Sequence, residues 1–384
     1  YKVWDYLRKN TDRRHPTSIA KMRKDEDINA YIGDKETINR LLKDMANIMN
    51  LEDGGSDYKP EAEWRLYFDD FKKFYGDKER YERDDSDEDD SYIANVMRIK
   101  NLYYNRTFSE KEVDSIIEGI MATRTLDSKS AQELVRKVED NMTTVFYKRT
   151  PRHICKVQEP ELADRELLKD NLAIIQKAID DNVRIQFRFN GYSYEKKLKP
   201  VREESDELSP YYIVASGGKY YLLAAKEYEG YKPNMSIWRI DLMTDIEIPG
   251  RNDRLHIKGI PRIPKKNVSN LPEKWSEDFQ LKHLNMSFDK PVPVTLRIKS
   301  EKCEDNPKKR VRPGYTFLHD WFGDSFTYIR TETNPPYDDI VRVECSPYGM
   351  AHWALQYSEL VEVLEPESLR EDIKSKIKAL NEKY

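Results

Sequence analysis

The chain has 384 residues, a mass of 45.6 kDa and a formal net charge of −4. Charged residues make up 35% of it and the mean hydropathy is −0.87, which predicts a soluble protein of two to four domains. No apolar run reaches the roughly 20 residues of a membrane helix, and no signal peptide is recognised. The net charge excludes a general attraction to nucleic acid, so any such binding has to come from local patches.

The three cysteines, Cys155, Cys303 and Cys345, lie far apart in the sequence and form no CxxC pair. This usage predicts a protein of the reducing cytoplasm and argues against structural zinc. The helical pattern begins at Tyr1 itself, so we expect a few native residues to precede it.

The first 50 residues are predicted to form three helices and hold eleven Lys/Arg against eight Asp/Glu, a local excess of positive charge. Asp34 is the predicted N-cap of the third helix, whose apolar stripe consists of Ile38, Leu41, Leu42, Met45, Ile48 and Met49. The opposite face carries Glu36, Asn39, Arg40, Lys43 and Asn47, side chains able to reach base edges and phosphates. The candidate DNA-binding residues are Lys35, Glu36, Asn39, Arg40 and Lys43. This order is typical of a helix-turn-helix, although a plain three-helix bundle has the same pattern.

The next segments predict a wing, a linker and more helices. Residues 64–68 are apolar and aromatic, as in a wing strand, and residues 84–90 hold six acids in seven positions, as in a solvated linker. Helical periodicity then resumes in a segment that includes Tyr103 and Tyr104. Two further helices are expected, one with a capped start at Ser109 and one over residues 128–145.

A helix over residues 164–182 leads into alternating strands. Residues 183–189 alternate cleanly, with Arg188 on the polar face, and Asn190-Gly191 is a strong hairpin signal. About five short strands through Met243 predict a small SH3-like or Sm-like barrel.

The stretch from residue 211 to 243 is the most informative for function. A glycine turn at residues 216–218 joins two of its strands. Its aromatic and basic side chains are Tyr211, Tyr212, Tyr220, Tyr221, Trp238, Lys219, Lys226 and Arg239. Aromatic faces beside cations suit a ligand with stacked bases and phosphates, although alternate aromatics also simply fill a small barrel.

The Tyr-Tyr-Leu triplet at 220–222, followed by Trp-Arg-Ile-Asp at 238–241, resembles the WYL domain of bacterial transcription regulators. That family is named for a Trp-Tyr-Leu triplet and has a downstream Arg-Leu-Asp-Arg-Ile-like run. Here Tyr220 stands in place of the tryptophan, and Leu242 replaces the second arginine. The Trp-Ala-Leu triplet at 353–355, with residues 361–370, resembles the WCX-type extension that follows WYL domains.

The patterns and the resemblance together predict a multi-domain α+β protein. Its expected parts are a winged helix-turn-helix (1–76), an acidic linker (77–92), a helical connector (93–150), a barrel-like WYL domain (151–250), a connecting segment (251–290) and a C-terminal α+β sandwich (291–384).

Strand alternation places Lys219 and Tyr221 on one face of their strand and Tyr220 on the core side. The resemblance implies a ligand site formed by Arg239, Tyr221, Lys219, Tyr212, Arg188 and Asp241. There Arg239 could pair with a phosphate while the ring of Tyr221 stacks on a base. The alternative is that Arg239 forms an internal ion pair with Asp241, two residues away on the same face.

No glycine-rich phosphate loop, HExxH or Gly-x-Ser-x-Gly motif occurs, so we expect no enzyme, no cofactor and no metal site. The resemblance implies a homodimeric cytoplasmic regulator that binds double-stranded operator DNA and senses a nucleic-acid or nucleotide-like ligand. One alternative is an accessory protein of a CRISPR or phage-defence system that binds single-stranded RNA or DNA through the WYL domain. A purely structural dimerisation scaffold is the other, and it predicts no affinity for nucleic acid.

Overall fold

The computed structural model describes residues 1–31, 34–52, 58–69, 71, 99–149, 164–299, 302–303, 306–310 and 314–384. The chain divides into two compact units, residues 1–161 and 162–384. Within the described residues, no helix is long and apolar enough to cross a membrane.

The first unit begins with helices and a small sheet that share one core. Its helices and strands are α1 (Lys2–Asn10), α2 (Ile19–Met22), α3 (Glu26–Tyr31), α4 (Lys35–Asn50), β1 (Leu66–Tyr67), β2 (Tyr103–Tyr104), α5 (Glu110–Ala122) and α6 (Ser128–Met142). This core buries Leu7, Leu42, Trp64 and Phe68. It also includes Leu102, which follows residues 72–98 in the sequence. The N-terminal core therefore includes residues on both sides of that stretch, which contains the predicted acidic linker and lies outside the described residues.

The expectation of three helices in the first 50 residues is corrected to four. The predicted second helix ends at Met22, and a new one starts at Glu26. The reason is a new cap, because the carboxylate of Asp25 accepts the backbone N–H of Ile28 at 3.2 Å.

Helix α4 begins where the sequence predicts, since Asp34 accepts the backbone N–H of Thr37 at 2.8 Å. Its buried row is Ile38, Leu42, Ala46 and Asn50. The wider stripe expected from the sequence is wrong at two positions, because Leu41 and Ile48 are exposed. An i, i+4 row turns only one narrow side of the helix to the core, and these two residues lie outside it.

The predicted helix through Tyr103 and Tyr104 is also wrong, because these residues form strand β2 and pair antiparallel with β1. The rings of Tyr67 and Tyr103 stack with centroids 4.9 Å apart, and the backbone N–H of Tyr104 donates to Thr11 Oγ1 at 3.0 Å. These long-range contacts outweigh the local helical periodicity.

Helices α5 and α6 pack on each other through Val113, Ile117, Val135 and Val138. A capping box starts α5, in which Ser109 and Glu112 satisfy each other's backbone N–H groups. This start confirms the one expected from the sequence.

The second unit opens with helix α7 over a curled antiparallel sheet. Its first elements are α7 (Arg165–Asp181), β3 (Ile185–Tyr192), β4 (Leu198–Pro200), β5 (Asp206–Ser216), β6 (Lys219–Ala225), β7 (Met235–Arg239) and β8 (Met243–Glu247). The strand order is β4-β3-β5-β6-β7, and β8 pairs with β3. Since a single 3₁₀ turn, Ile240–Leu242, connects β7 to β8, the sheet curls into a half-barrel.

Helix α7 packs on the inner side of the half-barrel, where Ile175 meets Phe187, Leu222 and Ile240. The helix is anchored by Asn171, which is fully buried and donates to the carbonyls of Ile240 and Met243 at 3.2 and 2.9 Å. These bonds satisfy carbonyls at the corner where β7 turns into β8.

The predicted hairpin turn at Asn190-Gly191 is wrong, since both residues lie inside β3 and pair with β4. The turn falls later, at residues 193–197, where Lys196 has a φ of 61°. Asn190 is buried and donates to the carbonyl of Leu242 and to Thr244 Oγ1, both at 3.0 Å. Its side chain thus ties β3 to the β7–β8 corner instead of making a turn.

The predicted glycine turn between β5 and β6 is confirmed. Gly217 and Gly218 have φ angles of 54° and 71°, the left-handed region that both central residues of a type I′ hairpin need. The strands on either side are therefore held in register, with Ser216 opposite Lys219.

The remaining elements are α8 (Phe279–Lys282), β9 (Val292–Ile298), β10 (Lys302–Cys303), β11 (Asn306–Arg310), α9 (Thr316–Phe322), β12 (Thr327–Thr331), β13 (Asp339–Cys345), α10 (Pro347–Gln356), β14 (Val361–Glu365) and α11 (Glu367–Asn381). Strands β12-β13-β9-β14 form an antiparallel sheet, and α9, α10 and α11 pack on it around Trp353 and Phe322.

Candidate nucleic-acid interface

The half-barrel presents a patch of polar and aromatic side chains at one end of its outer face. Tyr221 on β6 lies directly opposite Arg239 on β7. Lys219 precedes Tyr221 by two residues, so it shares this outer face. Tyr220 and Trp238 point the other way and pack against the inner core, as the alternation predicts.

The connecting segment covers the rest of this outer face. Phe279 and Met286 from that segment pack on Leu223 and Met235, and Tyr221 lies at the margin of the same cluster. The connecting segment therefore borders the patch of polar and aromatic side chains at Tyr221.

Arg239 forms an internal ion pair with Asp241. Arg239 Nε donates to Asp241 Oδ1 at 3.1 Å, and Nη2 donates to Oδ2. The side chain of Asp241 is 2% exposed, whereas that of Arg239 is 29% exposed. The alternative drawn from the sequence, an internal pair at i+2, is therefore present. Part of the guanidinium still faces solvent.

The electrostatics of Arg239 follow from this pair. Burial acts to lower its pKa, but the hydrogen bonds and charge of Asp241 outweigh burial, so the pKa is raised above its ordinary value. The phenols of Tyr221 and Tyr192 contribute in the same direction and therefore lie near the guanidinium. Arg239, Asp241, Tyr221, Lys219 and Tyr192 are called the Arg239 patch below.

Two of the predicted ligand residues do not belong to this patch. Tyr212 donates to the carbonyls of Pro272 and Glu273, each at 3.0 Å, and Lys265 Nζ donates to its hydroxyl at 2.9 Å. It therefore anchors the connecting segment. Arg188 is exposed on β3, and its nearest carboxylate is that of Asp245, at 3.8 Å.

Tyr192 is a patch residue that sequence reasoning missed. It lies at the end of β3 and pairs with Leu198 of β4. The sequence predicted a turn at Asn190-Gly191, which would have ended the strand before Tyr192. For this reason Tyr192 was not considered as a ligand residue.

The predicted DNA-binding residues lie in the first unit, on helix α4. Lys35, Glu36 and Arg40 are exposed, while Asn39 and Lys43 are half-buried. Lys35 and Arg40 are thus the cations of this helix best placed to contact phosphates.

In the part of the chain that the structure describes, no group of three or more His, Cys, Asp or Glu could hold a metal ion. Besides the carboxylate of Asp241, the patch holds a guanidinium, an ammonium and two phenols. Such groups bind anions and stack on planar rings.

Comparison with known families identifies one domain. Residues 290–380 match the WCX domain family, which confirms the WCX-type extension expected from the Trp-Ala-Leu triplet. The search for similar curated proteins gives no significant match.

Two solved structures are similar to the chain at low identity. One is Proteasome accessory factor B/C (PafBC) of Arthrobacter aurescens, with 16% identity over 75% of this chain and a TM-score of 0.22. The chain spans only 39% of that protein's length. The other is described as a CRISPR Cas-related protein, with 13% identity, 96% of this chain and 93% of that chain covered, and a TM-score of 0.30.

Proposed function

We propose that this protein is a ligand-responsive transcription regulator of the WYL type. It binds operator DNA through its N-terminal unit and a nucleic-acid or nucleotide-like ligand through the half-barrel. The observation that carries the proposal is the Arg239 patch, where Arg239 and Tyr221 lie opposite each other on adjacent strands. The WCX match supports the same assignment, because this domain type accompanies WYL domains in the family that the sequence resembles.

The N-terminal unit has the element order of a winged helix-turn-helix. Helices α2 to α4 are followed by the two-stranded sheet β1–β2, the position of a wing. Lys35 and Arg40 on α4 supply exposed cations for the DNA backbone.

Ligand binding works by charge and stacking, without a covalent step, so the protein is not an enzyme in this proposal. A ligand alters operator affinity only if it binds the DNA-competent arrangement more tightly or more weakly than the incompetent one.

The test is selection of bound duplexes from a random-sequence DNA library, followed by affinity measurements on the enriched sequence. In the variant Lys35→Glu/Arg40→Glu, we expect duplex affinity to fall by on the order of tenfold or more. The slope of log affinity against log salt should fall by about 1.8, since each lost phosphate contact removes about 0.9.

The matched control is Lys111→Glu/Lys129→Glu, which makes the same charge change at exposed positions of α5 and α6. This control should bind close to the parent. Equal binding by both variants would show that α4 is not the DNA-reading helix. Single-strand binding without duplex enrichment would instead favour the accessory role in phage defence.

A further inference from the structure

A second binding feature lies along strand β7, apart from the Arg239 patch. It is a cavity of about 860 Å³, lined by all residues from Asn234 to Trp238 and by loops on either side. Arg239 is not among its lining residues, and alternation turns it away from Trp238. This space is called the β7 cavity.

The walls of the β7 cavity are rich in aromatic rings. Trp238 is held rigidly, because its Nε1–H donates to Ser236 Oγ at 2.8 Å and its ring meets Phe189 edge-on at 5.0 Å. Tyr228, Tyr231 and Phe288 line the cavity while 58%, 78% and 56% exposed. Three exposed aromatic side chains around one concavity are characteristic of a binding site.

Two cations at the cavity are fixed by a buried acid. Asp206 is fully buried; its Oδ1 accepts a hydrogen bond from Lys226 Nζ at 2.7 Å, and its Oδ2 forms an ion pair with Arg202 Nη2, 2.9 Å away. The guanidinium of Arg202 also lies over the ring of Trp238, 5.8 Å from its centroid. Both cations are therefore positioned before any ligand arrives.

The charges around the cavity leave a positive surplus. Lys232 adds a third cation and, in the described part of the chain, forms no ion pair. Glu229 is the acid among the lining residues, and the buried Asp206 pairs with two of the cations, Arg202 and Lys226. Three cations against two carboxylates leave a net positive charge of one, which favours an anion but leaves most of the affinity to the aromatic rings.

We propose that the β7 cavity is a second binding site, which takes a planar aromatic anion of nucleotide size. Rings of this kind stack on Trp238, Tyr228 or Tyr231, and the anionic group meets Arg202 and Lys226. The volume falls within the range of small-molecule sites, roughly 300–1,000 Å³. Nucleoside monophosphates and indole carboxylates share this chemistry, and the experiment separates them.

The probe is 1-anilinonaphthalene-8-sulfonate, an aromatic anion with a planar naphthalene ring, whose fluorescence rises in apolar surroundings. We expect saturable binding to the full chain. The variant Tyr231→Ser/Lys232→Ser should weaken it at least tenfold, since both side chains line the cavity. Displacement by adenosine monophosphate or by indole-3-carboxylate then identifies the natural class.

The matched control is Tyr194→Ser/Lys197→Ser, which removes the same residue types from the exposed β3–β4 turn. It should bind the probe like the parent, and melting curves should show all variants folded. The proposal is overturned if binding is not saturable, if the two variants lose affinity equally, or if neither anion displaces the probe. It is also overturned if Arg239→Gln/Asp241→Asn weakens probe binding as much as the cavity variant, because the two sites are then one.

Discussion

Removing the guanidinium of Arg239 is expected to destabilise the half-barrel as well as weaken ligand binding. In Arg239→Ala the carboxylate of Asp241, 2% exposed, loses its cation. Breaking a fully buried ion pair costs about 3–5 kcal/mol. Because Arg239 is itself 29% exposed, water can enter the vacated space, and about 1–3 kcal/mol is the expected loss. For a unit of this size, each kcal/mol lowers the melting temperature by roughly 2–4 °C.

The variant Arg239→Gln/Asp241→Asn separates stability from binding. It removes both charges and leaves two amides that can hydrogen-bond, so no buried charge is left unpaired. We expect it to recover most of the melting temperature lost in Arg239→Ala. The phosphate contact is absent from both variants, so both should bind a single-stranded oligonucleotide at least tenfold more weakly, about 1.4 kcal/mol.

Differential scanning fluorimetry measures the melting temperature, and fluorescence anisotropy of a labelled oligonucleotide measures affinity at fixed salt. The control is Arg188→Gln, an exposed arginine on β3 outside the patch. If the neutral pair binds the oligonucleotide like the parent, Arg239 does not contact the ligand. If Arg239→Ala melts like the parent, the burial argument is wrong.

Two further outcomes concern pH and assembly. His283 is buried, with Nδ1 2.7 Å from the carbonyl oxygen of Ser287, and burial lowers its pKa below the ordinary value of 6.5. The neutral form of His283 therefore adds stability that is lost as pH falls below about 6.5. Between pH 7 and pH 5, the melting temperature should drop more steeply in the parent than in His283→Asn. Parallel melting-temperature profiles for the two proteins would contradict this expectation. Light scattering at micromolar concentration should give twice the 45.6 kDa subunit mass, and a single-subunit mass would count against the homodimer.

The elements with local signals could be predicted from the sequence. Asp34 and Ser109 cap helices as expected, and Gly217-Gly218 closes the expected hairpin. These features depend on a few neighbouring residues, so their physical cause is visible in the sequence itself. The strand at Tyr103–Tyr104 depends on pairing with residues almost 40 positions earlier, which no local pattern reveals.

In the candidate site, too, only the features that depend on local sequence could be predicted. Alternation placed Tyr221 and Tyr220 on opposite faces correctly, because the strand itself sets that period. The sequence grouped Tyr212 with these residues, but its hydroxyl hydrogen-bonds to a segment some 60 residues later, which no local pattern reveals. The β7 cavity was not foreseen, because Arg202 and Lys226 come from different loops and meet at the buried carboxylate of Asp206.

The charges of the Arg239 patch indicate what kind of ligand it suits. Leu242 stands where the family's second arginine would be and lies in the 3₁₀ turn after Arg239. One guanidinium remains, and Asp241 already engages two of its nitrogens. With Lys219 the patch has a net charge of only one, so phosphate attraction alone is weak there. Stacking on the phenol rings of Tyr221 and Tyr192 must supply much of the affinity, which favours ligands with exposed bases over duplex nucleic acid.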